Sequence, residues 1–231
     1  MPSTIAVVGA GPGLGYSTAR RFGAAGHAVA LVARNRNRLE SMAASLRENG
    51  IVAEAFPADV TDEAGLTTAL HAAADGLGRI DVLSYAPGAT WDFTAGEFPD
   101  PAALGYTSTL DTTPESARRQ FELAVAGALT ATRAVLPGMR EAREGALLFT
   151  TGMSAVVPLP VMGNAGIALA GLRNWASALH GELADDGVYV GHTSIGLPIV
   201  RGSGDGDPDA IADRWYRLTT ARDTFETTIG F

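Results

Sequence analysis

The chain has 231 residues, 46% of them hydrophobic, with 28 glycines, which is ample material for one α/β domain with its own core. A net charge of -8 and a pI near 4.9 argue against a nucleic-acid or anionic-membrane surface. The sequence has no cysteine, which excludes disulfides, thiolate metal sites and thiol nucleophiles, and it has no lysine at any position. No apolar run approaches the length of a spanning helix and the first strand follows within a few residues of the start, so a soluble cytoplasmic protein is the expectation.

The first strand, 5–8, is a continuous apolar run of the kind buried on both faces of a parallel sheet. It enters the turn Gly9-Ala10-Gly11-Pro12-Gly13-Leu14-Gly15, after which apolar spacing predicts a helix over 16–25. In such a turn Gly9 ends the strand, Gly13 lets the backbone approach a phosphate, and Gly15 allows close helix packing. Leucine at position 14 breaks the strict Gly-x-Gly-x-x-Gly spacing. The reading is a dinucleotide pyrophosphate on the helix N-terminus, contacted by Gly9, Gly13, Leu14 and Gly15, with a purely structural turn as the alternative.

A second apolar strand, 28–33, ends at Ala33, where an NAD-selective protein would carry an acid for the ribose hydroxyls. Arg34 and Asn35 follow, and a guanidinium suits a 2′-phosphate in charge and shape, which favours NADP(H) over NAD. The alternative is that Arg34, Arg36 and Arg38 decorate a solvated helix start. A helix over 36–49, a strand at 52–56 and a helix over 62–77 come next. Asp59-Val60, at the third strand's end, either receives the adenine amino group or serves as turn and N-cap.

The fourth strand, 80–85, ends on Tyr85 and leads into Ala86-Pro87-Gly88. The stretch 87–113 is long for a loop and carries Trp91, Phe93, Phe98 and Tyr106, a composition suited to covering an apolar small-molecule substrate or to ordinary packing. Then come a helix over 114–140, a strand at 146–151, a helix over 163–185, a strand at 189–194 and a helix over 208–222. Phe225, Thr227 and Ile229 alternate as an edge strand. The order implies α/β architecture: a single-domain Rossmann-type doubly wound parallel sheet of about seven strands with helices on both faces. The expected organisation is one dinucleotide-binding domain over 1–231, its substrate cleft built in by the loop 87–113.

On Gly9, Gly13 and Gly15, Ala33-Arg34-Asn35, Asp59-Val60, Asp81-Val82-Leu83 with Gly88, and Arg133-Ala134-Val135-Leu136-Pro137 at the end of the long helix, the chain resembles the short-chain dehydrogenase/reductase family over nearly its whole length. The resemblance implies NAD(P) at the C-terminal edge of the sheet and homodimers or homotetramers formed through the two long helices. It also implies a catalytic Asn, Ser, Tyr and Lys, the last two spaced Tyr-x-x-x-Lys. Here the aligned positions are Ala124, Gly152, Ala165 and Leu169, none of which can exchange a proton. Pro198 and Val200 likewise stand where the family presents a backbone donor and a hydroxyl to the carboxamide.

The polar residues left near the expected cleft are Tyr85, Thr150, Thr151, Ser154, Asn164 and His192. Tyr85 is a candidate donor to a substrate carbonyl, against the plainer reading of a packing tyrosine. Ser154 is a candidate for orienting a substrate oxygen, against a turn serine bonding its own backbone. His192, inside an apolar strand, reads as a satisfied core histidine. Gly152-Met153-Ser154-Ala155-Val156, followed by Asp185 and His192, approaches a hydrolase elbow but lacks its second glycine. The four histidines show no ligand spacing, so no metal is expected. Three functions follow: an atypical NADP(H)-dependent oxidoreductase, a non-redox isomerase, lyase or cyclase on the same fold, or a catalytically silent NADP-binding or partner-binding protein. Arg34 places the first ahead.

Overall fold

A computed structural model describes residues 3–88 and 100–231. Seven strands, β1 (Thr4–Val8), β2 (Ala28–Ala33), β3 (Ala53–Pro57), β4 (Ile80–Tyr85), β5 (Gly145–Gly152), β6 (Val188–Ile195) and β7 (Glu226–Ile229), form one parallel sheet in the order β3-β2-β1-β4-β5-β6-β7. β1 and β6 are buried at every residue; β1 is apolar after Thr4, as central parallel strands tend to be, whereas β6 also buries His192, Thr193 and Ser194.

Helices α1 (Leu14–Ala24), α2 (Arg36–Glu48) and α7 (Pro208–Ala221) cover one face of the sheet. Phe22, Leu39, Leu46 and Trp215 of these helices pack there on Ile5, Val7 and Leu31. Helices α3 (Glu63–Leu77), α5 (Gly127–Ala142) and α6 (Gly163–Leu183) cover the other face, where Leu66, Leu70, Val135 and Leu172 meet Val8, Leu83 and Phe149. Helix starts carry local caps: Asn35 accepts from the Arg38 amide, Asp62 from Gly65, and Asp207 from Asp209. Among the described residues no helix is long and apolar enough to cross a membrane.

The helix expected over 114–140 is divided. α4 (Pro114–Phe121), started by a Thr113–Ser116 capping box, passes through a π turn at Glu122–Ala126 into α5, which runs beyond Pro137 to Ala142. At the wide turn the Leu123 carbonyl accepts the Tyr85 phenol at 2.7 Å. Gly127 then passes where a Cβ would strike the Tyr85 hydroxyl and lie 2.7 Å from the Val60 carbonyl oxygen. Only glycine fits that approach.

Strand order reverses between β1 and β4, which opens a crevice at the C-terminal ends of these strands. Two hydrogen bonds hold its floor together: Gly9 donates to the Val32 carbonyl at 2.9 Å and Ala86 to the Val8 carbonyl at 3.0 Å.

Candidate functional site

The crevice begins at the glycine turn. Gly9 has φ +91, and a Cβ there would sit 2.6 Å from the Ala86 carbonyl oxygen. Gly15 packs so closely on the turn that its Cβ would lie 2.9 Å from the Ala10 Cα. Gly13 is different, with nothing within 4 Å of a built Cβ. It is also the N-cap of α1, without a side-chain cap and with no acid in the first helical turn. Among the described residues the positive end of α1, starting at Leu14, has no side-chain cap and no acid in its first turn, and the space beside Gly13 is open, which fits a pyrophosphate.

Beyond β2, the Arg34 side chain is 81% exposed and its guanidinium lies 4.0 Å from Asp59. Asp59 is committed mainly to its own turn: one carboxylate oxygen accepts both the amide and the hydroxyl of Thr61, at 3.0 and 2.8 Å. These bonds, led by the Thr61 amide and helped by Arg34, hold its carboxyl below the usual range. Asn35 spends its side-chain oxygen on the Arg38 amide at 3.0 Å, so it shapes the start of α2. Val60 is 8% exposed and packs in the core, its carbonyl turned to Gly127. Of the residues expected around the adenosine, Arg34 is left with its side chain presented to solvent.

Tyr85 corrects the sequence expectation. It is 1% exposed, and burial together with the bond to Leu123 takes its phenol into the core; burial also pushes its ionisation well above the usual phenol range. The cause is strand parity: Tyr85 shares the face of Leu83, which looks toward α5. The Ser154 hydroxyl is buried, sits on the short helical turn Met153–Ala155 after β5, and has no hydrogen-bond partner among the described residues. Thr150 also carries an unpartnered buried hydroxyl. At the other aligned positions, Ala124 is 6% exposed in the π turn and Ala165 is fully buried on α6. A Cβ on Gly152 would lie 4.0 Å from Leu169, so apolar carbon stands where the lysine would project. At the crevice's far side the Val200 amide is already bonded to the Gly206 carbonyl at 3.1 Å.

Two arrangements were only partly legible in sequence. Asn164, fully buried at the start of α6, accepts from the Thr107 and Ala165 amides and donates to the Gly105 carbonyl. His192 lies in a chain of polar groups. Its Nε2 is 2.9 Å from the Thr151 hydroxyl and its Nδ1 is 3.0 Å from Glu226, which is itself held by Arg173 through two hydrogen bonds. Because a carboxylate only accepts, Nδ1 carries the proton and Nε2 accepts from Thr151. Burial lowers the His192 pKa against the opposing pull of Glu226. The core reading of His192 matches this burial. Its partners Glu226 and Arg173 were not anticipated, the one available signal being a carboxylate in an edge strand.

Among the described residues no group of three or more His, Cys, Asp or Glu side chains could hold a metal. Two surface recesses, one bordered by Glu63, His71 and Arg133 and one by Arg20, Arg21 and Asp213, lie on helix flanks away from the crevice. Trp91, Phe93 and Phe98 lie outside the described residues.

The parallel sheet, its crevice at the reversal of strand order and the open glycine cradle define a Rossmann-type α/β protein. The chain belongs to the short chain dehydrogenase family, which residues 3–199 match. It is 27% identical over 224 residues to 2-(S)-hydroxypropyl-CoM dehydrogenase 3 of Xanthobacter autotrophicus, an overlap of 94% of this chain and 82% of that protein. A crystal structure of a short-chain dehydrogenase from Rhodopseudomonas palustris superimposes with TM-score 0.82 at 25% identity, covering 99% of this chain and 98% of that one. A metagenomic short-chain oxidoreductase in complex with NADP superimposes with TM-score 0.80 at 22% identity, over 98% and 94% of the two chains. The chain spans between 60% and 83% of the length of curated relatives such as these.

Proposed function

We propose that this protein is an atypical NADP(H)-dependent oxidoreductase acting on a small, largely apolar molecule, in a single domain that carries both the cofactor crevice and the substrate cleft. The observation that carries the reading is the uncapped N-terminus of α1 at Gly13 and Leu14, open to solvent, with the exposed Arg34 at the end of β2. Together they offer one place for a pyrophosphate and one for a 2′-phosphate. Relatives named as dehydrogenases and a solved NADP complex on the same fold support it. Bound NADP(H) would supply or take the hydride; the chain's own residues would hold the phosphates and exclude water.

The setting in keeping with this reading is a cytoplasmic homodimer or homotetramer. Its interface would lie along the outer faces of α4 and α6, where Phe121 and Ile167 are 48% and 62% exposed. A second reading rests on Ala165 and Leu169: with neither phenol nor amine at these α6 positions, the cleft would serve a non-redox isomerisation, elimination or cyclisation, or only bind. Calorimetric titration with NADPH and, separately, NADH tests the choice. Selective NADPH binding supports the oxidoreductase; no binding of either nucleotide at millimolar concentration overturns it in favour of the second reading.

A further inference from the structure

The polar chain through His192 does not end at Thr151. The Ser194 hydroxyl lies 3.3 Å from the Thr151 hydroxyl and donates to the Gly152 carbonyl at 2.9 Å. Linked groups thus run from Arg173 and Glu226, a partly exposed ion pair at edge strand β7, through His192, Thr151 and Ser194 to a backbone carbonyl at the C-terminal end of β5. His192, Thr151 and Ser194 are all buried. Gly152 is the N-cap of the turn Met153–Ala155, which carries Ser154, and β5 lies next to β4 at the crevice.

Each hydroxyl has one proton to give. With His192 neutral, the Nδ1 proton is spent on Glu226, the Thr151 proton on Nε2 and the Ser194 proton on the Gly152 carbonyl. None is left for the 3.3 Å contact between the two hydroxyls. A proton added to His192 changes that. Nε2 becomes a donor to the Thr151 oxygen, the Thr151 hydroxyl turns its own proton to the Ser194 oxygen, and Ser194 keeps its bond to Gly152. Every link from the imidazole to the end of β5 then carries a proton pointing the same way. A Ser194 hydroxyl that accepts as well as donates binds the carbonyl more strongly, because hydrogen bonds in a chain polarise one another. The added proton comes from solvent and stays on the imidazole.

We propose that Thr151 and Ser194 relay the protonation of His192 to the Gly152 carbonyl, which makes the end of β5 and the turn after it a pH-sensitive wall of the crevice. The relay does not depend on which molecule the crevice binds. Its range is set by the groups around the imidazole. Glu226 on β7 faces Nδ1 and steadies an imidazolium, while Arg173 on α6 lies behind that carboxylate and opposes one. His180, also on α6, is turned to the Val190 carbonyl at 2.8 Å and to the Phe225 ring. β5 brings the uncharged Thr151, and α7 packs on the opposite face of the sheet. Burial lowers the His192 pKa, so the switch works below the ordinary histidine value of about 6.5.

Nitrogen NMR of the isotope-labelled full chain, titrated downward from neutral pH, tests the relay. The imidazole nitrogens of His192, identified by their loss in His192→Gln, should titrate in one step. The amide nitrogen of Met153, which senses hydrogen bonding at the preceding Gly152 carbonyl, should move with the same midpoint. Ser194→Ala removes the last link and leaves the pair of His192 and Thr151 in place, so His192 should still titrate while the Met153 step is lost. Thr151→Ser keeps a hydroxyl and should keep the step, whereas Thr151→Val should lose it. A Met153 nitrogen that stays still while His192 titrates overturns the proposal. So does a Met153 step that persists in Ser194→Ala, the mark of the imidazolium's direct field, and so does a His192 that takes no proton while the chain is folded. If Ser194→Ala does not fold, Thr151→Val against Thr151→Ser decides in its place.

Discussion

Replacing Tyr85 with phenylalanine separates a core role from a catalytic one. The substitution keeps the ring, which is 1% exposed and packs 6.5 Å centroid to centroid from Phe149, and removes the hydroxyl that donates to the Leu123 carbonyl at 2.7 Å. The carbonyl sits in the π turn and loses this donor. A lost buried hydrogen bond with its acceptor left unmet costs about 1–3 kcal/mol. For a domain of this size that corresponds to a Tm lower by roughly 2–12 °C, since each kcal/mol shifts Tm by about 2–4 °C. A pH arm sharpens the test. Burial raises the Tyr85 pKa, so above about pH 10 the unfolded chain releases a proton that the native chain keeps, and wild-type stability falls with rising pH. Tyr85→Phe should lack that part of the alkaline loss. Urea unfolding at pH 7.5 and 10.5, alongside NADPH titration, measures both. Unchanged stability with lost turnover would refute the core assignment and return Tyr85 to the crevice.

Arg34→Ala should weaken NADPH by about 10–100-fold and leave NADH unchanged, from the loss of charge-assisted bonds worth about 1.5–3 kcal/mol, as read by calorimetry; equal losses for both nucleotides would remove Arg34 from 2′-phosphate recognition. Gly13→Ala should keep the wild-type Tm, because nothing lies within 4 Å of the new Cβ, yet lose NADPH affinity as the methyl enters the phosphate space. Gly15→Ala should instead lower the Tm, its Cβ meeting the Ala10 Cα at 2.9 Å. His192 has a pKa lowered by burial, with Glu226 and Thr151 beside it and Arg173 behind Glu226. The unfolded chain therefore binds a proton first as pH falls below about 6.5, and stability present above that value is lost toward pH 5. Urea midpoints at pH 7.5 and 5.0 should converge more closely in His192→Gln than in wild type; an equal acid loss in both would place the titration elsewhere.

Most of the architecture was readable in the chain because it depends on local pattern. β2 and β4 fall where the largely apolar runs at 28–33 and 80–85 place them, since strands covered on both faces are mostly apolar. The glycine turn was readable because positive φ at Gly9 and close packing at Gly15 admit little else. The missing tetrad needed no structure at all, because a chain without lysine cannot supply one. The division of the long helix was hidden: at the π turn Glu122–Ala126 the Leu123 carbonyl accepts the phenol of Tyr85, 38 residues away in sequence.

The sequence by itself determined the fold class, the family and the glycine turn at the start of α1, because each is a matter of residue type at short spacing. Only the tertiary structure decided which polar residues face which space. It turned Tyr85 inward by strand parity, linked His192 to Glu226 across β6 and β7, and laid the peptide units around Tyr106 on Asn164, 57 residues from Thr107. Those choices rest on contacts between distant segments, whose geometry is set by the packing of helices on the sheet and is carried by no local pattern.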